Sequence, residues 1–168
     1  MSGRRLYRFA PGPRGGFRSR YVWVRPTYTP GLETPGLLLD WLSDDQGSWW
    51  ALVHRLRDAT TPSTGVPAAA VTEIVAAEDI RGTPRFDPPG PNGHGLPVTA
   101  ESRHVWVRPP HLSSYCPGLV LQLAMDAPYT PIALVAYVPG VEHGEAAILF
   151  WATRGELAGV PARPPAAR

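Results

Sequence analysis

Apolar and polar residues alternate with a period of two through most of the chain, in short runs broken by proline and glycine. This is the pattern of half-buried β-strands, not of helices. In Tyr21-Val22-Trp23-Val24-Arg25-Pro26 the valines fall on one face and Tyr21, Trp23 and Arg25 on the other. Pro26 ends the run because it has no N–H to give a ladder. Gly36 to Leu42 predicts a second strand, with Leu37, Leu39 and Trp41 facing one way and Leu38, Asp40 and Leu42 the other. Asp44-Asp45-Gln46-Gly47 predicts a turn, Trp49 to Leu56 the returning strand of a hairpin, and Val71 to Val75 a further strand running into a short helical turn near Ala77 to Ile80.

The same plan recurs. Ser19-Arg20-Tyr21-Val22-Trp23-Val24-Arg25-Pro26 matches Ser102-Arg103-His104-Val105-Trp106-Val107-Arg108-Pro109 at seven of eight positions, an offset of 83. At an offset of 82, Pro35-Gly36-Leu37-Leu38-Leu39 pairs with Pro117-Gly118-Leu119-Val120-Leu121, and Ala51-Leu52-Val53 with Ala133-Leu134-Val135. At 77, Ile80, Gly82 and Pro84 fall on Leu157, Gly159 and Pro161. The pattern predicts a tandem repeat of about 60 residues, large enough to fold but marginal alone. The second copy's strands are expected over Leu119 to Leu123, Pro131 to Val138 and Ala146 to Ala152, with a turn near Gly155 to Leu157.

Strand order, the long loop after the first strand, the hairpin and the terminal helical turn resemble a Src-homology-3-like or Tudor-like small barrel, present twice. The resemblance implies an all-β fold of two tandem small barrels over residues 19–84 and 102–161. Residues 85–101, rich in Pro and Gly, read as a linker, and residues 162–168 as a disordered tail. Composition and the duplicated WVRP, PGL and ALV segments are similar to small proteins of GC-rich actinobacteria.

Charge is unevenly spread. All 16 basic residues are arginine, and residues 1–20 hold Arg4, Arg5, Arg8, Arg14, Arg18 and Arg20 with no acid. Residues 21–84 hold four arginines against eight acids. The first copy is therefore acidic, and residues 1–18 read as a disordered basic arm whose arginines suit phosphate or an acidic protein surface. At 43% hydrophobic residues the chain has enough apolar material for a core. The single cysteine, Cys116, cannot form an internal disulfide, and no apolar run follows the first arginines to form a signal peptide, so a cytoplasmic protein is expected.

Catalytic patterns are missing from the sequence. Gly90-Pro91-Asn92-Gly93-His94-Gly95 lacks the lysine of a phosphate loop, and His143-Gly144-Glu145 lacks the two further thiolates of a zinc deaminase. His104, His111 and Cys116 would need the second long loop to fold back to share a metal, and the first copy has Tyr21 and Tyr28 in place of the two histidines. The expectation is a protein that is not an enzyme and uses no cofactor and no metal.

Two readings compete for the aromatics. If the valines fill the cores, Trp23 and Trp106 point away from them and need other cover, from the facing repeat or a loop, with Arg25 and Arg108 stacked on the rings. Alternatively Trp23, Arg25, Tyr28, Trp41, Trp49 and Trp50 form a partner-binding groove on the first copy, with Trp106 and Arg108 as second-copy equivalents and the second copy as scaffold. The expected function is protein binding, as an adaptor. Nucleic-acid binding through the arm is the alternative, favoured by its six arginines and opposed by the acidic first copy.

Overall fold

A computed structural model describes residues 6–8, 20–25, 33–57, 68–90, 95–126, 128–139 and 147–162. The chain is all-β. Its elements are β1 (Leu6–Arg8), β2 (Tyr21–Val24), β3 (Thr34–Asp44), β4 (Trp49–Leu56), β5 (Ala70–Ala76), a 3-10 turn (Ala77–Asp79), β6 (Ile80–Gly82), β7 (His104–Val107), β8 (Cys116–Asp126), β9 (Thr130–Tyr137), β10 (Ile148–Thr153), a second 3-10 turn (Arg154–Glu156) and β11 (Leu157–Gly159). Among the described residues there is no α-helix, and no helix is long and apolar enough to cross a membrane.

Two antiparallel sheets share one plan, in the orders β5-β4-β3-β2-β6 and β10-β9-β8-β7-β11. Matching residues hold matching registers: Val22 opposes Gly36 as Val105 opposes Gly118, and Trp23 opposes Pro35 as Trp106 opposes Pro117. Each sheet is strongly curled. Ala76 and Ile80 sit on opposite edge strands yet are joined by one 3-10 turn. That link spans at most about 14 Å, whereas five flat strands would hold their edges about 19 Å apart. The Arg25 N–H donates to the Asp79 carbonyl, and the Arg108 N–H to that of Glu156, both at 2.8 Å, which ties each turn back to the sheet. No ladder joins β5 to β6 or β10 to β11 among the described residues, so the sheets are curled but not closed into barrels.

Inside each curl lies one core. The first comprises Val22, Val24, Leu38, Trp41, Ala51, Val53, Val75 and Ile80, and the second Val105, Val107, Cys116, Val120, Ala133, Val135, Tyr137 and Ala152. Strict alternation along β3 placed Trp41 with Leu37 and Leu39, away from Leu38. Instead Leu38 and Trp41 share the core, because the register slips between Leu38 and Asp40 and the extra residue, Leu39, reverses the parity. The same slip occurs between Val120 and Gln122. Arg20 serves the first bulge directly: its Nη1 donates to the Leu38 and Leu39 carbonyls at 3.1 and 3.2 Å.

The outer faces of the two units pack on each other in a seam that repeats itself. Tyr21, Leu37, Leu39, Leu119 and Val138 form one buried cluster, with Trp106 and Phe86 against it. Leu56, Leu121 and Ala136 form a second. At the repeat offset of 82, Leu39 corresponds to Leu121 and Leu56 to Val138, so the Leu39–Val138 and Leu121–Leu56 associations are the same one made in both directions. That reciprocity is the signature of an isologous interface, here within one chain.

Two stretches differ from expectation. Leu6–Arg8, placed in the disordered arm, pair with β3 as Leu6 to Asp44, Tyr7 to Ser43 and Arg8 to Leu42. β2 covers that side of β3 only from Thr34 to Leu37, which leaves the rest of the edge open to another strand. The 85–101 segment is not a free linker either. Phe86 packs near Tyr21 with ring centroids 6.5 Å apart, Val98 packs on the second core, and Leu96 bridges Gly159.

Candidate functional site

Among the described residues, the aromatics of the first copy do not gather into a groove. Trp23 is 5% exposed, edge-on to His104 at 5.1 Å between centroids. Trp41 is buried in the first core and Trp49 packs on it. Trp50 is half-buried, and its Nε1–H donates to Asp44 Oδ2 at 3.2 Å. Trp106 is half-buried in the seam, edge-on to Tyr21 at 5.3 Å. Tyr28 lies outside the described residues, as do Arg4, Arg5, Arg14 and Arg18, and Arg8 is described through its backbone alone. Arg20 is committed to the bulge carbonyls. An exposed aromatic surface built on Trp23 and Trp41 is therefore replaced by two packed indoles.

Among the described residues, the three weighed for a metal form no cluster of metal-ligating groups. His104 is fully buried in the seam, where its Nε2–H donates to the Gly36 carbonyl at 3.1 Å. Burial lowers its pKa to about 4, against smaller opposing effects of its bonds to Gly36 and Val22, so the ring is neutral. Cys116 is buried in the second core, and His111 Nε2 lies 3.3 Å from the Tyr137 hydroxyl.

Arg25 and Arg108 occupy the same place in the two repeats and meet different neighbours. Arg25 Nη1 lies 3.9 Å from Asp79 Oδ1, on the turn to which its own N–H is bonded. The acid at the equivalent place in the second unit is Glu156. Its side chain turns away: Glu156 Oε2 accepts the Thr153 N–H at 2.8 Å, which caps the second 3-10 turn. Ala76 stands at the position of Thr153, and no side chain caps the first turn. Arg108 thus has no acid beside it among the described residues and lies over the Tyr115 ring instead, its guanidinium carbon 5.2 Å from the centroid. Arg154, exposed on the same turn, replaces Ala77 of the first unit.

These groups border a cleft of about 400 Å³ whose walls include Arg108, Tyr115, Arg154, Leu157 and the segment from Gly95 to Val98. That segment is held tightly against β11. The Gly159 N–H donates to the Leu96 carbonyl at 2.7 Å, and a Cβ at Gly95 would stand 2.3 Å from that of Ala158. Among the described residues neither Arg108 nor Arg154 has a carboxylate within ion-pair distance. The cleft thus combines two cations that lack a carboxylate partner among the described residues with a mostly polar lining to which Leu96, Pro97, Val98 and Leu157 contribute, in the copy expected to be scaffold. Of its residues the sequence reading singled out Arg108. Tyr115, Arg154 and the Leu96 to Val98 wall carry no motif that marks a site, although Thr153-x-x-Glu156 is a capping pattern visible in the sequence. No protein-family model, no curated protein and no solved structure matches the chain.

Proposed function

We propose that the chain is a non-enzymatic binding protein, an adaptor whose two Src-homology-3-like units act as one body and which takes a protein partner in the cleft of the second unit. The strand order of each sheet, its curl and the 3-10 turn between its last two strands support the small-barrel reading. The observation that carries the functional reading is the difference between equivalent arginines: Arg25 is ion-paired to Asp79, while Arg108 and Arg154 border a cleft with no acid beside them among the described residues. Neither guanidinium has a carboxylate partner among the described residues, so a site that holds both is suited to receiving an anion.

The test is capture by immobilised full-length protein, quantified against an Arg108→Gln, Arg154→Gln variant. Partners lost with the two guanidiniums support the reading, and an identical captured set contradicts it. The six arginines of residues 1–20, unaccompanied by any acid, favour nucleic-acid binding as a second reading. A gel shift at low salt, repeated with Arg4, Arg5, Arg8, Arg14 and Arg18 changed to Ala, tests it, since binding through phosphates falls with each cation removed.

A further inference from the structure

A guanidinium without a counter-ion recognises planar anions, with a fork of N–H donors that matches a carboxylate. Arg108 and Arg154 present two such groups on one cleft, whose mostly polar lining also includes Leu96, Pro97, Val98 and Leu157. At about 400 Å³ the space lies at the low end of the range for ligand pockets and suits a few side chains more than a folded surface. Single-stranded nucleic acid would need an open aromatic face for its bases, and the Tyr115 ring is already covered by Arg108.

We infer that the ligand of this cleft is an acidic peptide segment, with Glu or Asp carboxylates on Arg108 and Arg154 and an adjacent apolar residue against Leu96 and Leu157. This inference rests on the reading of the cleft as the binding site. The first unit lacks the capacity because Asp79 already occupies Arg25 and Ala77 replaces the second arginine. Glu156 is the residue that keeps the site open, through its bond to the Thr153 N–H.

The experiment uses the full chain and a displayed library of short peptides with all residue types at every position. Enrichment of peptides carrying acids next to an apolar residue is expected, with retention falling at least tenfold in Arg108→Gln and in Arg154→Gln. Arg108→Gln retains the main-chain bond to Glu156, and Arg154 is exposed, so both variants are expected to fold, which circular dichroism checks. Glu156→Asp supplies a test at constant charge. A shorter acid that no longer reaches Thr153 is placed as Asp79 is, and its pairing with Arg108 should weaken acidic peptides several-fold. Enrichment of neutral or basic peptides that are lost in the arginine variants overturns the ligand class and leaves the cleft as the binding site. Enrichment unaffected by the variants, or none at all, overturns both.

Discussion

Tyr21 and His104 are equivalent residues of the two repeats and meet each other across the seam, ring centroids 5.1 Å apart at an interplanar angle of 61°. Each reaches into the other unit for a main-chain acceptor: the Tyr21 hydroxyl donates to the Val105 carbonyl at 2.6 Å and His104 Nε2–H to that of Gly36 at 3.1 Å. Each also stands edge-on to the other unit's retained indole, Tyr21 to Trp106 and His104 to Trp23. The rings retained in both copies therefore fasten the copies together.

Tyr21→Phe removes the hydroxyl and keeps the ring. Loss of a buried bond to a main-chain carbonyl is expected to cost about 1–2 kcal/mol, read as a lower urea midpoint with an unchanged slope. An unchanged midpoint would show that the bond contributes nothing across the seam.

Acid should loosen the same seam. His104 has a folded pKa lowered from 6.5 to about 4 by desolvation, and burial lowers that of His54 as well. Between these values the unfolded chain binds more protons than the folded one, so stability falls as pH drops from 6.5 towards 4, by an amount on the order of 3 kcal/mol from His104. His104→Gln should flatten the profile in that window. A variant that keeps the full slope would place the acid sensitivity elsewhere.

Truncation of the indoles should separate by burial. Trp23→Ala empties a buried site and is expected to cost about 3–5 kcal/mol. Trp106→Ala, at a half-buried position, should cost less. Thermal unfolding of both variants checks the order, and equal losses or the reverse order would contradict the packing described for the seam.

Gly95→Ala tests the wall of the cleft. The added methyl meets the Ala158 Cβ at 2.3 Å and Pro89 Cγ at 2.9 Å, so the segment must lift from β11. Retention of acidic peptides should fall while both cores persist, visible as a near-native circular dichroism spectrum. Unaltered retention would mean that the Leu96 and Pro97 wall takes no part.

What was legible in the sequence was whatever depends on neighbours along a strand. The alternation in Val22-Trp23-Val24 and Val105-Trp106-Val107 carried the cores and the outward tryptophans, and the repeat offsets carried the equivalence of the two sheets. Trp41 changed face because a bulge adds a residue that no residue type in Leu37-Leu38-Leu39 announces. Leu6–Arg8 gained a strand because β3 outruns β2, a fact of pairing and not of composition. The cleft was hidden for the same reason: residues near 96, 108, 115 and 154 converge only once β7 and β11 pair. Its clearest mark in the sequence was a difference between the copies, Ala76-Ala77 against Thr153-Arg154, whereas similarity drew attention to Trp23 and Trp106.

The most direct measurement is amide chemical-shift mapping of the full-length protein titrated with a peptide rich in glutamate and leucine. Both repeats present an equivalent arginine beside an equivalent turn, so each serves as the other's control. Shifts are expected at Gly95 to Val98, Arg108, Tyr115 and Arg154 to Leu157, with Arg25 and Ala77 to Asp79 unmoved. Shifts centred on Arg25 and Asp79, on residues 1–20, or nowhere would contradict a binding cleft in the second unit.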